Sequence, residues 1–476
     1  MSDNKIHDIV IIGAGPAGLA AAYELSRRGR QVLCLEKDAV VGGISRTVQR
    51  NGFRFDIGGH RFFTKLERVN RLWREVLQDD FLRRNRLSRI VYNNSFFDYP
   101  LKPLNALKGL GCGPSVKIFT SYLASRLHPE PVEETFEQWV SNRFGKKLYQ
   151  TFFKTYTEKV WGRPCSEIDA AWAAQRIKGL SLSSAVKTAL FGNRNNNIKT
   201  LIDQFDYPKY GPGQMYETMS DRISAMGSTV ELNCAVEKLH AAQGRITALD
   251  VRYTDGRHER ICPQQVISSM PITELICKTL DPQCPPPQQK ADQLSYRSML
   301  TVNLMMDGSG SLPDTWVYIH SPEVKVGRVQ CYQNWSPFMV PSDQDSSLGL
   351  EYFCDENDGF WNQRDDLLIY LAHAELEKLG LTDTSRIRDA FVVRCAKAYP
   401  VYDKGYTTHL QTLKDYLAQV QNLQCIGRNG MFKYNNMDHS ILSGLLAADN
   451  LCEPKHDLWE INTDAQYHEQ MQRKGA

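Results

Sequence analysis

The sequence predicts an α/β protein in which a parallel-sheet nucleotide unit carries an inserted helical unit and a separate antiparallel sheet. Three observations carry that prediction. "HDIVIIGAGPAGLAAAYELSRRGRQVLCLEK" at 7–37 reads as strand, glycine turn, helix and strand. From about 100 to 205 the apolar spacing is helical: "SVKIFTSYLASRL" places Val116, Phe119, Tyr122 and Leu123 on one face, and "ETFEQWVSNRFGKKLYQTFFKTY" continues it. From about 298 to 355 the apolar runs shorten to strand length in "MLTVNLMM", "TWVYIH", "VGRVQCYQ" and "LGLEYF".

Size and charge fit an enzyme. The chain has 476 residues, 42% hydrophobic and 23% charged, with a formal net charge of +3. That length builds several units and a large core, and so slight a basic excess points to no nucleic-acid partner. The N-terminus lacks a secretory signal and no apolar run reaches membrane-spanning length, which leaves peripheral membrane contact open and a transmembrane segment excluded. Twelve cysteines contain no C-x-x-C pair, the nearest being Cys277 and Cys284, so neither a metal site nor a disulfide framework is expected. Reduced thiols fit a cytoplasmic protein. "GNRNNNIKT" at 192–200 and "DPQCPPPQQ" at 281–289 read as surface loops.

Glycine spacing then points to a nucleotide. In "GAGPAG", Gly13 permits the tight turn, Gly15 lets a diphosphate reach the helix N-terminus, Gly18 lets helix and sheet pack closely, and Pro16 and Ala17 between them are expected to touch the cofactor. Glu36, followed by Lys37, stands where a carboxylate accepts ribose hydroxyls. In "DIGGHRFFTK", Gly58 and Gly59 give main-chain room immediately before His60. "TVELNCAVEKLH" alternates as a strand and "YTDGRHE" carries an Asp-Gly hairpin turn. Near the C-terminus, "NNMDHSILSGLLAADN" puts polar groups at the start of an Ala/Leu-rich helix, with Asp438 placed to cap the first-turn amides. Asp438 and His439 lack a nucleophile elbow, so hydrolase chemistry is set aside.

The continuation "AVVGGISRT" resembles the second glycine pair of the amine oxidase-like flavoproteins. More specifically, "GGHRFF", "EKVWGRPCSEIDAAWAAQRI", "YPKYGPGQMYETM", "VGRVQCYQNWSPF", "KAYPVYDKGY" and "GRNGMFKYNNMDHSILSGLLAADN" occur in the order found in the UDP-galactopyranose mutases, and resemble their eukaryote-type branch most. The resemblance runs from about residue 7 to 455. It implies a Rossmann-type, glutathione reductase-like FAD domain from 1–98, 208–275 and 420–455, a helical substrate-side unit at 99–207, an antiparallel-sheet substrate domain at 276–419 and a tail at 456–476. It also implies redox-neutral pyranose/furanose interconversion of a UDP-galactopyranose-like nucleotide sugar through a flavin N5–sugar adduct. FAD would be active when reduced, with NAD(P)H as an external reductant.

By the same resemblance, Gly42, Gly43, Ser45, Arg46, Gly427, Arg428, Asn436, Met437 and Ser440 line the FAD and Val236 lies at its adenine end. Gly58 and Gly59 run beside the flavin ring, with His60 near its reactive edge. Arg176 and Arg328 match a diphosphate clamp, Tyr399 and Tyr434 its hydrogen-bonding tyrosines, and Trp161 a substrate-pocket aromatic. Arginine suits the clamp because its planar fork stays protonated and donates paired hydrogen bonds. A phenol adds a neutral donor. The chain departs from the family at "LKPLNALKG", where Lys102 stands in a stretch that elsewhere helps hold uridine, so base and sugar stay open. The rival reading is a net-redox flavoenzyme on a hydrophobic substrate, like amine oxidases, protoporphyrinogen oxidases or carotenoid desaturases; a flavin-bound protein without turnover has no positive signal.

Overall fold

The computed structural model describes residues 5–463 apart from 100, 102, 171, 174–203, 282–283 and 311. The strand Lys5–Ile12 lies inside an eight-stranded sheet, parallel to Val32–Leu35 on one side and to His258–Ser268 on the other. Thr229–Glu231 and Leu423–Cys425 extend the parallel set. Ile9, Val10 and Ile11 are fully buried, as a strand covered on both faces must be. Helices Pro16–Arg27, Gly213–Ala225 and Met437–Asn450 contribute to the apolar layer on one face. Cys234–Ala242, Arg245–Tyr253 and His258–Ser268 form an antiparallel meander. Its Asp255-Gly256 turn closes as expected, with Tyr253 N–H donating to Arg257 O at 2.9 Å.

The second sheet runs in the order Ile387–Pro400, Tyr296–Asp307, Asp345–Cys354, Arg328–Cys331, Trp316–Ile319, Ser88–Tyr92, Ser95–Asp98. All its pairs are antiparallel except Trp316–Ile319 with Ser88–Tyr92. Residues 88–98 therefore belong to this sheet, not to the nucleotide unit that the boundary at 98 assigned them to. Their partner lies more than two hundred residues away, and local pattern carries no trace of it. The end of the helical insert needs a similar correction: Gln204–Pro208 is a strand paired antiparallel with Phe81–Asn85, so chain entering and leaving the insert is tied together. Leu280–Asp281 joins the nucleotide sheet, and Leu410, Leu413 and Leu417 of helix Tyr406–Leu417 pack in its core. These parts of 276–419 thus cover the nucleotide sheet.

One local expectation also changes. Pro285–Ala291, expected as loop, is helical because proline at the first helical position needs no amide partner. In helix Cys112–Leu127, Ser115 and Ile118 face inward, whereas Val116, Phe119 and Leu123 of the apolar face are exposed and Tyr122 is half-buried. The loop at 192–200 lies outside the described residues. Helix Phe136–Phe144 starts with a reciprocal Thr135/Gln138 capping box. From Lys146 the chain runs helically to Trp161 through a π-type turn at Tyr149–Lys154, an irregularity that rotates the following residues relative to an ideal helix.

Candidate active site

The nucleotide half of the site is made from backbone. Gly13 adopts φ +96°, and its N–H donates to Leu35 O at 2.8 Å. A Cβ on Gly18 would overlap the Gly13 carbonyl. Gly15 precedes Pro16–Arg27 without any side-chain cap, and no acidic residue occupies the first turn, so the helix offers uncompensated amides to an anion. The second glycine pair comes to the same place: Gly42 N–H donates to Ala14 O at 2.8 Å, and a Cβ on Gly43 would meet the Gly15 Cα at 3.3 Å. Ser45 is buried beside this turn, and Arg46 is fixed by Asp38 at 2.6 Å.

Glu36 is buried and accepts from Ala14 N–H at 2.7 Å and Asp38 N–H at 3.0 Å. Burial pushes its carboxyl pKa up, with the two amides opposing. It thus shapes the turn, each of its oxygens accepting from one main-chain amide. Val236 is buried on the strand whose Cys234 N–H donates to Glu36 O at 2.9 Å, which brings it to the end of the sheet expected to face adenine. Lys37 points to solvent.

The late motif closes on this half. Gly427 packs its backbone on Ala17, where a Cβ would come within 3.1 Å, and its N–H donates to Ser443 Oγ at 2.9 Å. Met437–Asn450 crosses Pro16–Arg27 at Gly444, whose missing side chain makes room for the Ala17 carbonyl. Asn436 is the N-cap of this helix and makes no side-chain cap; Met437 and Ser440 are buried in its first turns. Asp438 does not cap the helix as expected. It lies inside the first turn and accepts from Thr64 Oγ1 at 2.6 Å, linking the "DHS" motif to the end of "DIGGHRFFT". The uncapped amides of that turn suit electron-rich flavin carbonyls.

Side chains make the other half. Arg328 stands directly across from Glu351 on one neighbouring strand and Tyr318 on the other. Fully buried Glu351 accepts from Arg328 Nε at 2.7 Å and again from Nη2, while its second oxygen accepts from Gln330 Nε2 at 2.7 Å. The guanidinium, 17% exposed, stays charged because that carboxylate raises its pKa against burial. Tyr399 and Tyr434 stack at 5.4 Å between ring centroids with an 18° interplanar angle. Arg428 lies across both rings, 5.3 and 5.2 Å from their centroids, and donates to Asn435 O at 2.9 Å and Ala398 O at 2.8 Å. Burial and the neighbouring phenol push Tyr399 up to about 12, so it remains a neutral donor. Trp161 closes the group, 6.3 Å from Tyr399 and 6.1 Å from Tyr434, its buried indole N–H without an acceptor among the described residues.

Between the halves lies the glycine-histidine loop. A Cβ on Gly58 would meet Glu351 Oε1 at 3.9 Å, and one on Gly59 would press Gln330 and Trp335 at 3.2–3.3 Å. His60 Nδ1 donates to Gly58 O at 3.2 Å, which leaves Nε2 as the acceptor. Desolvation, with Arg428 and Arg328 adding repulsion, pushes its pKa down to about 3. The imidazole is neutral at physiological pH.

The structure thus brings His60, Trp161, Arg328, Tyr399, Tyr434 and Arg428 together beside the nucleotide turn. Arg176 and Lys102 lie outside the described residues. Sequence reasoning missed Glu351, although a lone carboxylate inside the apolar run "LGLEYF" is the kind of residue that stays buried only when paired. It also missed Lys159, whose Nζ donates to Ser321 O at 2.7 Å, Val326 O at 3.2 Å and Ile319 O at 3.3 Å. That contact pins the Trp161 helix to the sheet that carries Arg328. Burial lowers the Lys159 pKa to about 8.

Residues 16–452 match the family of flavin containing amine oxidoreductases. A probable UDP-galactopyranose mutase of Klebsiella pneumoniae is 32% identical over 172 residues, 34% of this chain and 43% of that protein. The chloroplastic prolycopene isomerase of Daucus carota is 25% identical over 386 residues, 73% of this chain and 60% of that protein. The chain therefore spans less than two thirds of the length of either relative. Among solved structures, reduced UDP-galactopyranose mutase is similar at a TM-score of 0.82 and 21% identity, covering 95% of this chain and 97% of that one. A putative protoporphyrinogen oxidase from Exiguobacterium sp. 255-15 gives 0.69 at 17% identity, covering 95% and 99%. A redesigned putrescine oxidase gives 0.63 at 17%, covering 95% and 100%. At such identities the structural likenesses establish the fold: a Rossmann-like FAD-binding core with inserted helices and a separate sheet. No helix among the described residues is long and apolar enough to cross a membrane. The chain belongs to the flavin containing amine oxidoreductase family, as an FAD-dependent enzyme of that superfamily.

Proposed function

We propose that the protein is a nucleotide-sugar mutase that interconverts pyranose and furanose rings of a UDP-galactopyranose-like substrate without net redox change. The observation that carries this reading is Arg328, held by fully buried Glu351 within the group formed by Tyr399, Tyr434 and Trp161. A permanently charged guanidinium fixed in one orientation fits a diphosphate and serves no purpose for an apolar hydride donor.

FAD fits the residues present: the uncapped helix after Gly15, the Cβ-free approach of Gly15 to Gly43, and the uncapped turn at Met437 are cradles for a diphosphate and a flavin. Gly13–Gly18, Glu36, Gly42–Arg46 and Gly427–Ser440 would hold it, and when reduced it supplies the electron-rich centre for attack on the sugar. Arg328 binds the departing diphosphate through the part of its fork not committed to Glu351; a second clamp arginine, Arg176, is implied by the sequence resemblance alone. Tyr399 and Tyr434 donate to the same oxygens as charge develops. Neutral His60 presents Nε2 as an acceptor near the reacting edge and orients the Gly58 carbonyl through Nδ1. Trp161 covers the sugar and excludes water.

A net-redox reaction on an apolar substrate is the second reading, favoured by the aromatic wall of Trp161, Trp172, Tyr399 and Tyr434. Calorimetric titration of reduced, FAD-loaded protein with UDP-galactose separates the two. The mutase reading expects saturable binding that weakens by at least about a hundredfold in Arg328→Ala, since charged hydrogen bonds contribute roughly 1.5–3 kcal/mol each. Equal binding by both proteins would reject it.

A further inference from the structure

Helix Cys112–Leu127 presents the wrong face to its own protein. It packs through Ser115 and Ile118, and Gly145 lets the neighbouring turn approach so closely that a Cβ there would lie 2.8 Å from the Tyr122 backbone. Val116, Phe119, Leu123 and Leu127 face outward at 62%, 51%, 44% and 76% exposure. At 100° per residue these four fall within one narrow stripe. Exposed Lys117 and Arg126 flank the stripe on opposite sides.

The charge around the stripe is one-sided. Residues 99–129 contain no Asp or Glu and four cations, Lys102, Lys108, Lys117 and Arg126. The acids that follow are engaged elsewhere, Glu130 with Lys146 at 3.6 Å, Glu133 with Arg143 at 2.7 Å and Glu134 with Lys404 at 2.6 Å. Lys108, Lys117 and Arg126 make no ion pair among the described residues. From these observations we infer that this face docks on an anionic lipid surface, Phe119 and the leucines entering the interfacial layer while Lys117 and Arg126 reach the headgroups. Apolar side chains along this stripe can enter the interfacial layer while the long stems of the marginal cations let their charges reach the headgroups. A protein partner would bury the stripe equally well but gives no reason for the acid-free surround. The inference is independent of the reaction proposed above.

Vesicle co-sedimentation tests it with the FAD-loaded, full-length protein. Wild type should bind phosphatidylcholine vesicles containing phosphatidylglycerol at least about tenfold better than pure phosphatidylcholine vesicles, and lose that preference in high salt. Phe119→Asp/Leu123→Asp should abolish binding, and Lys117→Glu/Arg126→Glu should reduce it by about tenfold or more. Both variants alter exposed side chains and should keep the wild-type flavin absorbance and melting temperature. Absence of wild-type binding, or binding that survives both variants, overturns the inference. So does a wild-type dimer in sedimentation velocity that Phe119→Asp/Leu123→Asp converts to monomer without any vesicle binding, because the stripe would then belong to a second copy.

Discussion

The two halves of the site are built from different materials. At the nucleotide end the contact surface is main chain, in glycine turns and two helix starts that lie close together because Gly18 and Gly444 lack a Cβ. At the substrate end it is side chains, Arg328, Tyr399, Tyr434 and Trp161, each from a different segment and held by partners such as Glu351 and Lys159. The first half tolerates almost no added atom. The second is sensitive to charge and hydrogen bonding instead, so substitutions should separate cofactor retention from substrate binding.

The largest effect is expected at Gly18→Val, which drives a side chain into the Gly13 carbonyl. The protein should lose bound FAD during purification, measured by the flavin-to-protein absorbance ratio; a wild-type ratio would refute the close packing. Glu351→Ala comes next. It leaves a buried guanidinium unpaired, which costs about 3–5 kcal/mol, and should lower the melting temperature and weaken nucleotide-sugar binding together. The double variant Glu351→Met/Arg328→Met should recover much of the stability and none of the binding. Recovery of binding would remove Arg328 from the site.

Smaller effects follow the titrating groups. Asp56, which opens the histidine loop, is buried with Thr47 Oγ1 at 2.9 Å and Tyr207 as hydrogen-bond donors, and burial raises its pKa to about 7. A carboxyl raised in the folded state favours folding fully below its unfolded pKa, and that contribution falls as pH rises towards 7. Melting temperature should therefore decline from pH 4 to about 7 by an increment that Asp56→Asn removes. His60, already neutral, should add no inflection to the activity profile above pH 4, since its pKa is about 3. His60→Ala should keep FAD and slow turnover; normal turnover would deny it a role.

How much of this was legible in the sequence follows from the same contrast. The nucleotide turn could be read because backbone approach demands glycine at fixed spacing, and the structure brings Gly13, Gly15, Gly18, Gly42 and Gly43 together. Strands of the second sheet were visible as apolar runs, but the pairing of Ser88–Tyr92 with Trp316–Ile319 was not, because a register between distant segments has no local signature. Arg328 was found through resemblance to a family, not through spacing. Its counterion Glu351 lay in plain view as a charge within an apolar strand. The helix face at Val116, Phe119 and Leu123 was legible as one apolar side, but its exposure was not, since periodicity tells which residues share a side and not what covers it.

The central claim is that a cation-lined sugar site and a flavin act together without net electron transfer. The direct measurement is anaerobic incubation of dithionite-reduced, FAD-loaded protein with UDP-galactopyranose, following sugar products by chromatography and flavin redox state by absorbance. Ring-contracted UDP-sugar should accumulate over many turnovers while the flavin stays reduced, and Arg328→Ala should abolish the product with FAD still bound. Flavin reoxidation in step with substrate consumption, or furanose formation unaffected by loss of Arg328, would contradict the account.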